Sequence, residues 1–171
     1  MHKFALALAL CGTGCAGLIA FDVDSTGTST IPGSPTGGIL PSFPGFTGFN
    51  NLSFSQSSVF QNNNTNKDHI SACHLSKLTL KIVSPTGATL GFLDKVDFYI
   101  TAPSLAKVHI AGLASIPAAA TTVDLQIDDR DIAAYAKSDS FSITTEATGR
   151  QPTTTTTLQA DLKLHINASL L

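Results

Sequence analysis

Apolar and polar residues alternate along much of the second half of the chain. Leu78, Leu80 and Ile82 alternate with Lys77, Thr79 and Lys81. Val96, Phe98 and Ile100 alternate with Lys95, Asp97 and Tyr99, and Val108 and Ile110 with Lys107 and His109. The same period runs through Val123, Leu125 and Ile127, through Phe141 and Ile143, and from Leu158 to Ile166. A period of two places one face inward and one in water, the signature of antiparallel strands. Ser84-Pro85-Thr86-Gly87, Ala102-Pro103-Ser104 and Thr148-Gly149-Arg150-Gln151-Pro152 are the breaks between them. Short one-sided strands need a second sheet to cover their apolar faces, which predicts a two-sheet sandwich. Two helical turns are expected within it. One covers Lys67 to Ser71, capped by Thr65 or Asn66. The other covers Asp131 to Lys137, with Asp128 or Asp129 near its start.

The first half has a different texture. Residues 25–66 are rich in Ser, Thr, Gly, Pro and Asn, a composition that predicts loop. Phe21-Asp22-Val23-Asp24, just before them, is a candidate first strand. Phenylalanines nevertheless punctuate the segment at Phe43, Phe46, Phe49, Phe54 and Phe60. A free tether has little use for large rings. The favoured expectation is an irregular segment that lies against the domain and buries them, each ring contributing about 1.5–3 kcal/mol. The alternative is an exposed aromatic patch at Phe43, Phe46 and Phe49 that receives a partner.

Composition narrows the function classes. The chain has 171 residues, enough for one domain with its own core. Charged residues make up only 13% and the net charge is −2, with no basic patch, so nucleic acid is not an expected partner. Of three cysteines, Cys11 and Cys15 fall in the opening stretch and Cys73 in the body, so no internal disulfide framework is expected.

The opening stretch MHKFALALALCGTGCAG has a weakly basic start, an unbroken apolar run from Phe4 to Leu10, and small residues directly after it. That order is the order of a secretory signal. The run is well short of the ~20 apolar residues a membrane-spanning helix needs. Gly12-Thr13-Gly14-Cys15 resembles the lipobox of bacterial lipoproteins, with Gly12 where that family prefers Leu. The resemblance implies cleavage after Gly14 and lipid on Cys15. Cys11, after Leu8-Ala9-Leu10, is the alternative, and ordinary cleavage near Gly17 or Ala20 the competitor. A buried first strand or helix is the less favoured reading of the same run.

Candidate chemistry is sparse. Asp124, Asp128, Asp129 and Asp131 form the densest polar group, and a hard cation such as calcium takes six to eight oxygens of this kind. The spacing is not that of an EF-hand, and a helix cap with exposed strand charges explains the four residues better. His69, Cys73 and His74 are zinc-type ligands, one short of a structural set, and a strand there would point Cys73 and His74 to opposite faces. His109 and His165 fall at outward strand positions. There is no Gly-x-Ser-x-Gly elbow and no phosphate-binding glycine loop, and Glu146 is the only glutamate. The absence of Trp, with only Tyr99 and Tyr135, disfavours a sugar platform. No cofactor and no catalytic residues are expected.

Two resemblances bear on architecture. Leu125-Gln126-Ile127 followed by Asp131-Ile132-Ala133-Ala134-Tyr135 resembles the immunoglobulin approach to its tyrosine corner, without the cysteine that follows there. Taken whole, the chain resembles small bacterial lipoprotein-like secreted proteins. The likeness rests on Gly33-Ser34-Pro35 through Phe46, on Phe54-Ser55-Gln56, on Phe141-Ser142-Ile143-Thr144 and on Gly149-Arg150-Gln151-Pro152. It implies an exported β-sandwich and no particular activity.

The expectation is therefore an all-β, antiparallel two-sheet Greek-key sandwich, immunoglobulin-like or jelly-roll-like in strand order. It divides into a signal over 1–17, a Gly/Pro/Ser/Asn-rich segment with Phe anchors over 18–66 and a sandwich core over 67–171. The expected role is a non-catalytic envelope module, tethered by lipid to the outer membrane and meeting an envelope protein. A soluble secreted domain binding sugar or calcium is the alternative, and an enzyme with an unrecognised site the third reading.

Overall fold

The computed structural model describes residues 17–171; Cys11, Cys15 and the rest of the opening stretch lie outside the described residues. The strands are β1 (Leu18–Ile31), β2 (Ile70–Ser84), β3 (Leu93–Ala102), β4 (Leu105–Leu113), β5 (Thr122–Asp124), β6 (Gln126–Ile127), β7 (Ser142–Gly149) and β8 (Thr156–Ser169). Two short helices, α1 (Ser58–Asn62) and α2 (Ala133–Ala136), interrupt them. The strands form two four-stranded sheets, ordered β1-β8-β2-β5 and β6-β4-β3-β7. All pairs are antiparallel.

The chain is thus an all-β two-sheet sandwich. In the second sheet, β7 returns to lie beside β3 after β3, β4 and β6 have been laid down in order, which is the Greek-key arrangement. The first sheet departs from the immunoglobulin order. There the last strand sits in the sheet opposite the first two, whereas here β8 lies between β1 and β2. Tyr135 departs as well. Its hydroxyl donates to the Ala106 carbonyl at 2.6 Å, 29 residues upstream, and so ties α2 to β4 instead of closing a local corner.

The period-two residues build the core. Leu158, Ala160, Leu162, Leu164, Ile166 and Ala168 are all buried on β8, facing Val96, Phe98 and Ile100 of β3, which are buried too. β8 is central to its sheet and paired along its whole length on both sides. The expected strand Thr122–Ile127 splits instead between the two sheets. β5 pairs with β2 and β6 with β4. Leu125, between them, is buried and donates its amide to Leu78 at 2.9 Å. One side of the sandwich is therefore closed by a single strand that changes sheets.

The other side is closed by the Phe-rich segment. Thr47 exchanges two backbone hydrogen bonds with Thr28 of β1, at 2.8 and 3.0 Å. A few residues on, Phe49 accepts from Ile143 at 2.9 Å, and Leu52 bonds Phe141 in both directions, so the segment also pairs along β7. Between these two attachments Phe46 enters the core, stacked on Phe98 with ring centroids 5.6 Å apart, and Phe49 packs beside it at 5.7 Å. Further along, Phe54 packs on Phe60 and Phe141, and Phe60 meets Phe21 edge-on at 5.0 Å.

Two boundaries differ from the sequence expectation. The sandwich begins at Leu18, not at residue 67, and residues 25–31 are strand, not loop. The inward positions of β1 there are Ser25, Gly27 and Ser29, small because the aromatic segment lies on them. A Cβ on Gly27 would stand 2.9 Å from Phe46 Cβ and 3.0 Å from the Thr47 carbonyl oxygen. Ser29 Oγ donates to the Pro44 carbonyl at 2.7 Å. Both expected turns occur, shorter than drawn. Lys67–His69 is a 3-10 turn whose cap Asn66 accepts from the Asp68 amide at 2.9 Å. α2 is held at its start by Asp131, not Asp128 or Asp129.

Phe46→Ala removes the ring that joins the side wall to β3. A core Phe→Ala change costs about 3–5 kcal/mol, so the variant's urea midpoint should fall steeply. Phe43→Ala, at the half-buried ring beside it, should cost much less. Equal small losses for both would show that Phe46 is not a core residue.

Candidate functional site

Period-two alternation that fills the core leaves two polar outer faces, and these carry the titratable groups. On the first sheet the rows run across β1, β8 and β2. Asp22 lies opposite His165, and His165 opposite His74. Asp24 lies opposite Lys163, and Lys163 opposite Lys77. Thr26 lies opposite Asp161, and Asp161 opposite Thr79. Asp124 of β5 extends this last row, opposite Thr79. A shallow depression of about 360 Å³ lies over these rows, with Asp24, Lys77, Lys81, Asp161 and Lys163 around it.

Its charges are matched internally. Lys163 Nζ stands 3.0 Å from Asp24 and 3.6 Å from Asp22, and Lys77 3.8 Å from Asp124. Asp161 is the most heavily bonded carboxylate. It accepts from Lys81 at 2.8 Å, Thr26 Oγ1 at 2.8 Å and Gln159 Nε2 at 2.7 Å. The Lys81 ammonium above all, then Gln159 and Thr26, hold its carboxyl well down, at about 2. Hydrogen bonds to the charged form favour that form.

The outer face of the second sheet carries a smaller cluster. His109 Nδ1 lies 2.8 Å from Asp128 and its Nε2 3.3 Å from Asp97. Ionised carboxylates only accept, so both contacts form together only when both ring nitrogens carry hydrogen. Lys95 pairs with the other Asp97 oxygen at 2.6 Å. Lys107 sits 4.3 Å over the Tyr99 ring and pairs with Glu146. Partial burial, then Glu146 and Asp97, push the Tyr99 phenol up. His109 thus lies between two carboxylates, Asp128 and Asp97, on this face.

The four candidate aspartates do not converge. Asp124 accepts from Thr79, Asp128 from His109, and Asp129 stands exposed 3.7 Å from His74. Asp131 accepts from the Cys73 and Ala133 amides at 3.0 and 2.9 Å. They serve different elements because the chain changes sheets at Leu125 and then turns into α2. Among the described residues no three His, Cys, Asp or Glu side chains come together as a metal set.

Cys73 and His74 point to opposite faces. Cys73 is fully buried, and burial first, then Asp131, push its thiol up to about 12. It is thus a core residue and not a nucleophile. His69 Nδ1 meets Ser169 Oγ at 3.1 Å. The aromatic-patch reading is corrected: Phe46 and Phe49 are 1% and 0% exposed, and Phe43 is packed against the same cluster, so these rings face the core and not a partner. The facing pair His74 and His165 went unnoticed in the sequence. The two residues are 91 positions apart, and only the β2–β8 register joins them.

No protein family matches the chain, and no curated protein matches it in sequence. No helix among the described residues is long and apolar enough to cross a membrane.

Asp161 has a folded-state value depressed from 3.8 to about 2. Its contribution to stability is therefore complete above about 4 and lost as pH falls through about 2. Asp161→Asn should lower Tm at neutral pH and flatten its acid decline between those values. A variant that melts like the wild type at neutral pH would contradict the arrangement.

Proposed function

We propose that this chain is an exported, non-catalytic interaction module of the bacterial cell envelope. It is held on the outer membrane through lipid on Cys15, with Cys11 as the alternative attachment, and meets an envelope protein. The observation that carries this reading is the start of β1. Pairing with β8 begins at Leu18 opposite Ser169, directly after the signal-like stretch. Cleavage before Cys15 leaves β1 whole and places the sandwich a few residues from the anchor. Cleavage after Ala20 would remove Leu18, Ile19 and Ala20, which pair with Ser169, Ala168 and Asn167. The fold therefore favours the earlier cut over that later one.

The outer faces support the non-catalytic half of the reading. Their lysines and most of their carboxylates pair with each other in exposed ladders, whereas a general base works from within reach of a substrate proton and with a tuned pKa. Attachment by acyl chains scales at roughly 0.8 kcal/mol per buried methylene, so a lipid-bearing chain needs no spanning helix to remain on a membrane.

The test is the intact mass of the protein expressed with its native N-terminus in a bacterial host, together with detergent phase partitioning. A chain beginning at Cys15 and carrying lipid should enter the detergent phase, and Cys15→Ser should move it to the aqueous phase. A chain cut near Gly17 without lipid would instead make it a free secreted domain, and an uncut chain would remove the basis for export.

A further inference from the structure

The row Asp22–His165–His74–Asp129 crosses β1, β8, β2 and the turn that follows β6. His165 and His74 are direct cross-strand partners on the outer face. Side chains opposed in this way have Cβ atoms about 4.5–5.5 Å apart. Both rings are reachable from solvent, with side chains 44% and 38% exposed. Each has a carboxylate at Nδ1: Asp22 Oδ1 lies 2.8 Å from His165 Nδ1, and Asp129 Oδ1 lies 3.7 Å from His74 Nδ1.

We propose that His74 and His165 form a two-histidine site for a divalent transition metal of the zinc, nickel or copper kind. A carboxylate at Nδ1 favours the proton there and leaves the lone pair on Nε2. This is the outer-sphere arrangement that orients metal-binding histidines. Asp22 does this by a hydrogen bond and Asp129 by charge. Imidazole nitrogen suits zinc, copper and nickel, and the two acids offset part of the cation's charge. The cations facing the row are Lys163 and Lys77, one row away; Lys163 is already paired with Asp22 and Asp24, and Lys77 with Asp124. Among the described residues no third His, Cys, Asp or Glu converges on the pair, so water would complete the shell. Such a site is open, able to share its metal with a ligand from a second molecule. It stands independently of how the chain is anchored.

The test uses the untagged full chain carrying Cys11→Ser and Cys15→Ser, so that free thiols do not compete. Imidazole Hε1 resonances are followed by NMR during a zinc titration. The His74 and His165 signals should shift together and saturate at one zinc per chain, while that of His109, on the other sheet, stays in place. His165→Gln should abolish the response of His74 while the amide spectrum remains folded. Asp22→Asn should weaken binding by about 10–100-fold, the usual cost of removing an outer-sphere partner. Silence of both histidines in zinc excess, or a His74 response that survives His165→Gln, would overturn the proposal.

Discussion

The structure depends on how a two-sheet sandwich closes its sides. Sheets stacked face to face bury their inner faces, but each leaves an edge where core side chains would meet water. On one side this protein solves the problem covalently, with a single stretch that pairs first with β2 and then with β4 and buries Leu125 at the crossing. On the other side it uses the Phe-rich segment. That segment bonds β1 through Thr47 and β7 through Phe49 and Leu52, and drives Phe46 against Phe98 between them. The small inward residues Gly27 and Ser29 of β1 make sense only with this wall in place. Gly48, at φ +95°, makes the turn that lets the wall approach; a Cβ there would stand 2.6 Å from the Thr26 carbonyl oxygen.

Much of this was legible in the sequence, and the rest was not for identifiable reasons. β3, β4, β7 and β8 announced themselves because each alternates large apolar with polar residues, a pattern that one buried face produces directly. The burial of Phe46, Phe49 and Phe60 followed from the cost of leaving such rings in water. β1 was only half visible, because Ser25, Gly27 and Ser29 read as loop when their neighbours are unknown. They are small on account of a tertiary contact, and no local propensity records that. The split at Leu125 was hidden because period two persists through it. The site residues divide in the same way. Cys73 in the core and His74 in water followed from alternation, whereas the pairing of His74 with His165 exists only through register.

The outer faces show where the charge of a lightly charged chain goes. Almost every lysine on the sheets has a carboxylate across the strand or beside it, as Lys81 has Asp161, Lys95 has Asp97 and Lys107 has Glu146. Exposed pairs of this kind contribute about 0–1 kcal/mol each, so they hold register and solubility more than they hold the fold together. The first strand adds a geometric constraint of its own, since a tether at its start would hold the sandwich by the end where Leu18 meets Ser169.

If the Phe-rich segment is a wall of the domain, it opens only when the domain unfolds. Native-state hydrogen exchange reads this directly. The amides of Thr47 and Leu52, bonded to β1 and to Phe141, should exchange with the same opening free energy as those of Leu162 and Leu164 in the central strand. Exchange of Thr47 and Leu52 through local opening, while β8 stays protected, would mean that the sandwich stands without its wall and would contradict the account.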